Sequence, residues 1–167
     1  NISDDFIQRL NDKDKDATTR FKKSLKIKMV TGKGYFFFPD KANRKLPEYY
    51  PIQVRASNLC SEIILPSDSE HTFTCVLSSM NVAKYDEWKD TDAIFTATVF
   101  LDCVASEFIE RARNIKGLEN AVRFTEKARA LGLGVAGFHT YLQSKGIPLD
   151  SLDAVYFNQE LFEKLDE

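Results

Sequence analysis

The 167 residues hold only three cysteines and two histidines, and no two cysteines form a CxxC pair. An odd count with wide spacing fits neither a disulfide scaffold nor a structural zinc site, so the thiols are expected to be reduced and no metal site is expected. An excess of one charge is also lacking: 23 Lys and Arg stand against 25 Asp and Glu, a net charge of −2. No global basic field is available to hold nucleic acid or anionic lipid. No apolar run reaches the roughly 20 residues of a membrane span. The opening Asn1-Ile2-Ser3-Asp4-Asp5 is the opposite of a signal peptide. These absences predict a cytoplasmic protein with no membrane and no nucleic-acid partner. What is present is the composition of an ordinary folded domain, 43% hydrophobic and 29% charged, with thirteen Phe and six Tyr to fill a core.

Ser3 with Asp4 and Asp5 behind it is an N-cap signal for a short helix over 4–10. Phe21, Leu25 and Met29 recur at helical spacing from Ala17 to Thr31, and Gly32 is a natural stop. Its Arg20, Lys22, Lys23, Lys26 and Lys28 read as a solvated face rather than a phosphate-binding patch. Gly34-Tyr35-Phe36-Phe37-Phe38, ended by Pro39, reads as a strand buried on both faces. From Asp40 to Arg55 the chain is polar, holds Pro47 and Pro51, and is expected to be a long functional or partner-bound loop. Further β-like runs fall at 63–65 and 72–77. The period then changes: Ile94, Ala97, Leu101, Val104, Phe108 and Ala112 predict a long helix over 92–113, with others near 118–130, 134–145 and 152–164. One fragment of a single domain follows, with N-terminal helices over 1–33, strands and a loop over 34–77, and a mainly helical part over 78–167. Three or four strands are too few to close a barrel.

The most unusual stretch is Ser57-Asn58-Leu59-Cys60-Ser61-Glu62-Ile63. In an extended backbone side chains alternate, so Asn58, Cys60 and Glu62 share one face in steps of roughly 7 Å. That face carries a carboxamide, a thiol and a carboxylate. It also reads as an edge strand whose polar side meets water and whose cysteine is a small core residue. Nucleophilic thiol catalysis needs a nearby base, and neither His71 nor His139 stands in such a pattern. Cys103 falls on the apolar side of the long helix and reads as a buried structural thiol. Gly132, Gly134 and Gly137 spell G-x-G-x-x-G without a preceding strand, and read as a helix start packed closely.

Asn58-Leu59-Cys60-Ser61-Glu62-Ile63 with Pro66, and then Thr74-Cys75-Val76-Leu77-Ser78-Ser79-Met80-Asn81, resemble the centre of the class I ribonucleotide reductase large (alpha) subunit. Arg129-Ala130-Leu131-Gly132-Leu133-Gly134-Val135-Ala136-Gly137 and Gly146-Ile147-Pro148-Leu149-Asp150-Ser151 are similar to its R-x-L-G-L-G-V-x-G and G-I-P-x-D-S segments. Thr31-Gly32-Lys33-Gly34-Tyr35, with Asp40 and Asn43, is similar to its T-G-x-P-Y and D-x-x-N stretch, except that Gly34 replaces proline. The matches run from about residue 20 to 165 in family order.

The resemblance implies an α/β fold: part of a ten-stranded α/β barrel with a finger loop, followed by helices and incomplete on its own. It implies that Cys60 is the transient thiyl radical that removes the ribose 3′ hydrogen. Glu62 is then the acid/base on the 3′ hydroxyl, and Asn58 hydrogen-bonds the sugar hydroxyls. Cys75 becomes one of two redox-active thiols, and Ser57 and Ser61 are candidate substrate-binding residues. The types suit the roles: a thiol can hold a radical, a carboxylate can move a proton, an amide can orient hydroxyls without titrating.

The family's allosteric region, first redox cysteine, diphosphate-binding segment, radical-relay tyrosines and shuttle cysteines have no counterpart in the 167 residues. The implied protein is a fragment that turns ribonucleoside diphosphates into deoxyribonucleotides only with complementary large-subunit fragments and a small radical-generating subunit. The isolated chain is expected to be inactive. The implied chain binds no cofactor itself; the radical comes from a metal-containing small subunit, and electrons from an external dithiol such as thioredoxin or glutaredoxin. The alternatives are a non-catalytic assembly or regulatory module derived from the barrel, or a thiol redox protein using Cys60 and Cys75. The 15-residue spacing of those thiols lacks the preorganisation of CxxC.

Overall fold

The structure, a computed structural model, describes residues 1–46 and 53–166. The chain forms two compact units, Asn1–Phe73 and Thr74–Glu167.

In the N-terminal unit, α1 (Asp4–Asn11) begins where Ser3 Oγ accepts the Phe6 N–H, as its capping chemistry predicts. Lys13, at φ 59, turns the chain into α2 (Lys15–Thr31). Asp14 caps that helix by accepting from Ala17 N at 2.7 Å and from Arg9 Nη2 at 2.9 Å. The Ala17 amide first, and Arg9 second, hold the Asp14 carboxyl below the usual carboxylate range. Gly32 ends α2 in the left-handed conformation, φ 66. The stripe expected on α2 is only partly covered: Ala17 is buried and Phe21 meets Phe36, but Met29 is 86% exposed.

The expected strand at 34–38 is absent. Phe37 accepts one backbone bond, from Ile2 N, and no ladder forms, so the aromatic run is extended but not a strand. The chain at 63–65 is likewise irregular. The loop expected from residue 40 instead opens with a short helix, α3 (Pro39–Asn43), begun by a proline whose fixed φ suits a first helical turn. Pro47 and Pro51 lie outside the described residues.

In the C-terminal unit, β1 (Val76–Asn81) pairs in parallel with β2 (Leu131–Ala136), in a register that sets Val76 opposite Leu131 and Asn81 opposite Ala136. β1 thus starts four residues later than the run at 72 predicts. Parallel strands need a crossover. It is supplied by a 3-10 turn (Val82–Lys84), α4 (Tyr85–Trp88), α5 (Ala93–Ala112) and α6 (Glu119–Ala128). Leu101, Ala105, Ile109 and Ala112 form the buried stripe of α5, at spacings of four and three. Phe95, Val99 and Phe100 on the same helix are 71%, 44% and 65% exposed. Cys103 is also exposed, which corrects its reading as a buried thiol; it lies two positions past Leu101, and so off the buried stripe.

The helix expected over 134–145 is a strand and a helix. Leu131, Leu133 and Val135 alternate with smaller residues at the period of a strand, and β2 runs on to Ala136. Gly137, at φ 82, then turns the chain into α7 (Phe138–Ser144). A Cβ there would lie 3.2 Å from Ala83 N, so both conformation and space call for glycine. The glycines therefore do not open a helix together: Gly132 and Gly134 belong to β2, and only Gly137 caps α7. The chain ends in α8 (Leu152–Asp166). The main core gathers Val82, Tyr85, Trp88, Tyr141, Leu142, Ala154, Phe157 and Leu161, with Tyr85 edge-on to three of its aromatic neighbours.

Candidate active site

The stretch 57–63 is a pinched turn rather than an extended strand. Ser61 N donates to Asn58 O at 3.1 Å, and Ser61 takes φ 64. Asn58 Oδ1 accepts the Glu62 and Ile63 amides at 3.2 and 3.1 Å. Ser57 Oγ closes the base by donating to Ile63 O at 2.7 Å. An asparagine amide that satisfies backbone donors four and five residues on competes directly with strand pairing, and here it wins. The alternation that would align Asn58, Cys60 and Glu62 therefore fails. Asn58 and Glu62 are joined another way, by Asn58 Nδ2 donating to Glu62 Oε1 at 2.6 Å. Leu59 and Cys60 are left at the exposed tip, Leu59 at 90%.

That tip borders an open cleft of about 690 Å³, whose walls include Lys33, Gly34, Tyr35, Phe37 and residues 56–61. Two stretches singled out in the sequence, 31–35 and 57–63, thus share one cavity. Lys28 Nζ fixes the first by donating to Gly34 O at 2.6 Å while lying 5.0 Å from the Tyr35 ring centroid. Gly34 has φ 85, a value closed to the proline it replaces.

Asn43, read from sequence only as part of a pattern, positions the approach to the turn. Its Oδ1 accepts from Val54 N and its Nδ2 donates to Val54 O, both at 2.8 Å, so the side chain acts as a substitute strand partner. Val54 is 1% exposed, and its backbone polar groups need these partners. The only signal for this in the sequence is an asparagine three residues after Asp40, whose Oδ2 accepts from Asp4 N.

Cys75 belongs to the C-terminal unit, half-buried directly before β1. No disulfide joins the three cysteines. Among the described residues no three His, Cys, Asp or Glu side chains gather as a metal group, and no helix is long and apolar enough to cross a membrane.

Among the described residues the sheet is a single parallel strand pair with a helical crossover, and comparison with known proteins identifies the fold to which it belongs. The family model described as "Ribonucleotide reductase, barrel domain" matches residues 4–167, and the chain belongs to that family. The ribonucleoside-diphosphate reductase large subunit of Invertebrate iridescent virus 3 is 35% identical over 153 residues, covering 89% of this chain and 24% of its own length. That of Invertebrate iridescent virus 6 is 45% identical over 107 residues, 64% of this chain and 11% of its own. The solved class Id ribonucleotide reductase alpha subunit of Actinobacillus ureae superposes with a TM-score of 0.83 at 44% identity, covering 98% of this chain and 32% of the other. The chain spans a quarter or less of the length of these two viral relatives. Its fold is part of the family's α/β barrel.

Proposed function

We propose that this chain supplies the finger turn and one reducing thiol of a ribonucleoside-diphosphate reductase large subunit. It works with complementary large-subunit segments and a radical-generating small subunit, and its substrate is a ribonucleoside diphosphate. The single observation that carries the reading is the coupling of Asn58 to Glu62 beneath Cys60, at the edge of a cleft that also takes in residues 33–35.

In this reading Cys60 receives its radical from the small subunit, whose metal and oxidant lie outside this chain. The Cys60 sulfur takes the 3′ hydrogen of the ribose, so an S–H bond forms as the C–H bond breaks. Glu62 accepts the 3′ hydroxyl proton, and Asn58 holds carboxylate and sugar hydroxyl in register. Cys75 and a second thiol from another segment give up two electrons and two protons as the 2′ hydroxyl leaves as water, and become a disulfide, which an external dithiol such as thioredoxin or glutaredoxin reduces; the hydrogen held on the Cys60 sulfur returns to C3′, which restores the thiyl radical. Ser57 and Ser61 shape the turn that presents these groups to the substrate.

The test is reconstitution of this chain with its complementary large-subunit segments, on one polypeptide or several, and a small subunit. Deoxyribonucleotide formation is expected, with Cys60→Ser abolishing it. Turnover that survives Cys60→Ser overturns the reading. Stable assembly without turnover under any dithiol reductant points to a non-catalytic assembly module.

A further inference from the structure

The two residues flanking Cys75 are tied to α6 and to the turn that leads from it into β2. On one side, Val76 N donates to Ala130 O at 3.2 Å. On the other, the Thr74 and Thr125 hydroxyls lie 2.6 Å apart. Proton counting gives that pair a direction. Thr125 has one hydroxyl proton and donates it to Ala121 O at 2.7 Å, so Thr74 is the donor and Thr125 the acceptor. Thr125 is only 2% exposed.

The turn into β2 is itself held from α5. Arg129 sits at φ 42, a conformation uncommon for a residue with a side chain. Its guanidinium fork offsets that strain: Nε donates to Asp102 Oδ1 at 2.7 Å, and Nη2 donates to Asp102 O at 2.8 Å and to Ser106 Oγ at 2.7 Å. Arg129 also holds the Asp102 carboxyl below the usual carboxylate range, so the anchor stays ionised at neutral pH. A continuous set of bonds thus runs from α5 through Arg129 to Ala130 and Val76. A second runs from α6 through Thr125 to Thr74.

We propose that Thr125 and Arg129 are positioning residues for Cys75, fixing the depth and direction at which its sulfur is presented. The inference rests on the redox reading of Cys75 given above. A thiol that must reach a substrate and then pair with a second sulfur tolerates little wander, because disulfide geometry admits only a narrow range of Cα separations. A hydroxyl pair on one neighbour and a backbone bond on the other remove that freedom.

The test uses the reconstituted reductase with Thr125→Val, which keeps shape but removes the acceptor, Thr125→Ser, which keeps the hydroxyl, and Arg129→Gly, which keeps the left-handed backbone but removes the fork. The readouts are the native-state alkylation rate of Cys75 relative to exposed Cys60, and kcat against KM. Losing one buried hydrogen bond corresponds to about a fivefold to tenfold effect. Thr125→Val and Arg129→Gly are each expected to raise the Cys75 to Cys60 alkylation ratio by about that factor and to lower kcat similarly with KM nearly unchanged. Thr125→Ser is expected to behave as the parent. A Thr125→Val ratio equal to the parent's, or a Thr125→Ser enzyme as impaired as Thr125→Val, overturns the proposal. Full activity in Cys75→Ser would instead remove the redox reading of that thiol, and the alkylation ratios would still decide whether Thr125 and Arg129 hold it.

Discussion

Asn58 receives two backbone amides on its Oδ1 while its Nδ2 donates to Glu62 Oε1 at 2.6 Å, so the side chain that folds the turn is also the one that holds the carboxylate. Structure and proposed chemistry converge on a single amide. Asn58→Asp keeps the shape and the acceptor oxygen but sets a second carboxylate against Glu62. The donor to Glu62 is lost, and like charges this close repel. In the proposed reaction Glu62 accepts the hydroxyl proton, so losing its orientation is expected to lower kcat of the reconstituted enzyme. Removing a general base or its orientation costs about a hundredfold or more in kcat. An unchanged kcat would remove Glu62 from the proton transfer.

Asn43 makes the same kind of device structural. Asn43→Ala strips both partners from the buried backbone of Val54. Each unsatisfied group costs about 1–3 kcal/mol, and water entering the site lowers the sum. The expected result is faster hydrogen exchange at the Val54 amide, with the amides of β1 unchanged.

Two glycines near one another in sequence should respond differently to alanine. At Gly132 a Cβ would meet Leu77 Cδ2 at 2.6 Å, but Leu77 is half exposed and its side chain can turn away. At Gly137 the obstacle is the Ala83 backbone, and φ 82 is itself costly for a residue with a Cβ. Gly137→Ala is expected to lose about 1–2 kcal/mol or more from conformation alone. Gly132→Ala should lose less than Gly137→Ala, as urea midpoints measured side by side would show.

Burial, and then the bond to Glu160 at 2.8 Å, push the Tyr85 phenol well above its ordinary value. Burial also raises Tyr141, with its bond to Asp86 adding to the effect. Above pH of about 10 the unfolded chain loses these protons first, so the native state binds more of them and stability falls as pH rises. Thermal melts from pH 8 to 11 should show that decline, and Tyr85→Phe should flatten it.

Helices α1, α2, α5, α6 and α8 were legible because their signals are local. Ser3 needs only Phe6 to cap α1, and Gly32 needs only its own backbone freedom to end α2. The strands were not, since a strand exists by virtue of its partner. Tyr35 to Phe38 had the composition of one but meets no ladder, whereas β2, full of glycine, has one because β1 lies beside it. The site was legible in its residue types and not in its shape. Nothing in Asn58-Leu59-Cys60-Ser61-Glu62 announces that the amide will bond forward to the backbone at 62 and 63 and fold the segment into a turn.

Helix α5 has a consequence for how the barrel is layered. Its inner stripe of Leu101, Ala105, Ile109 and Ala112 is buried, Ile109 and Ala112 against Val122 of α6, while Phe95, Val99 and Phe100 present oily rings and methyls outward. An outer wall would carry charge there, yet Ala93 to Leu101 contains none. So large an uncharged apolar face in water favours contact with another like it, and the chain is expected to stick to itself in proportion to its concentration.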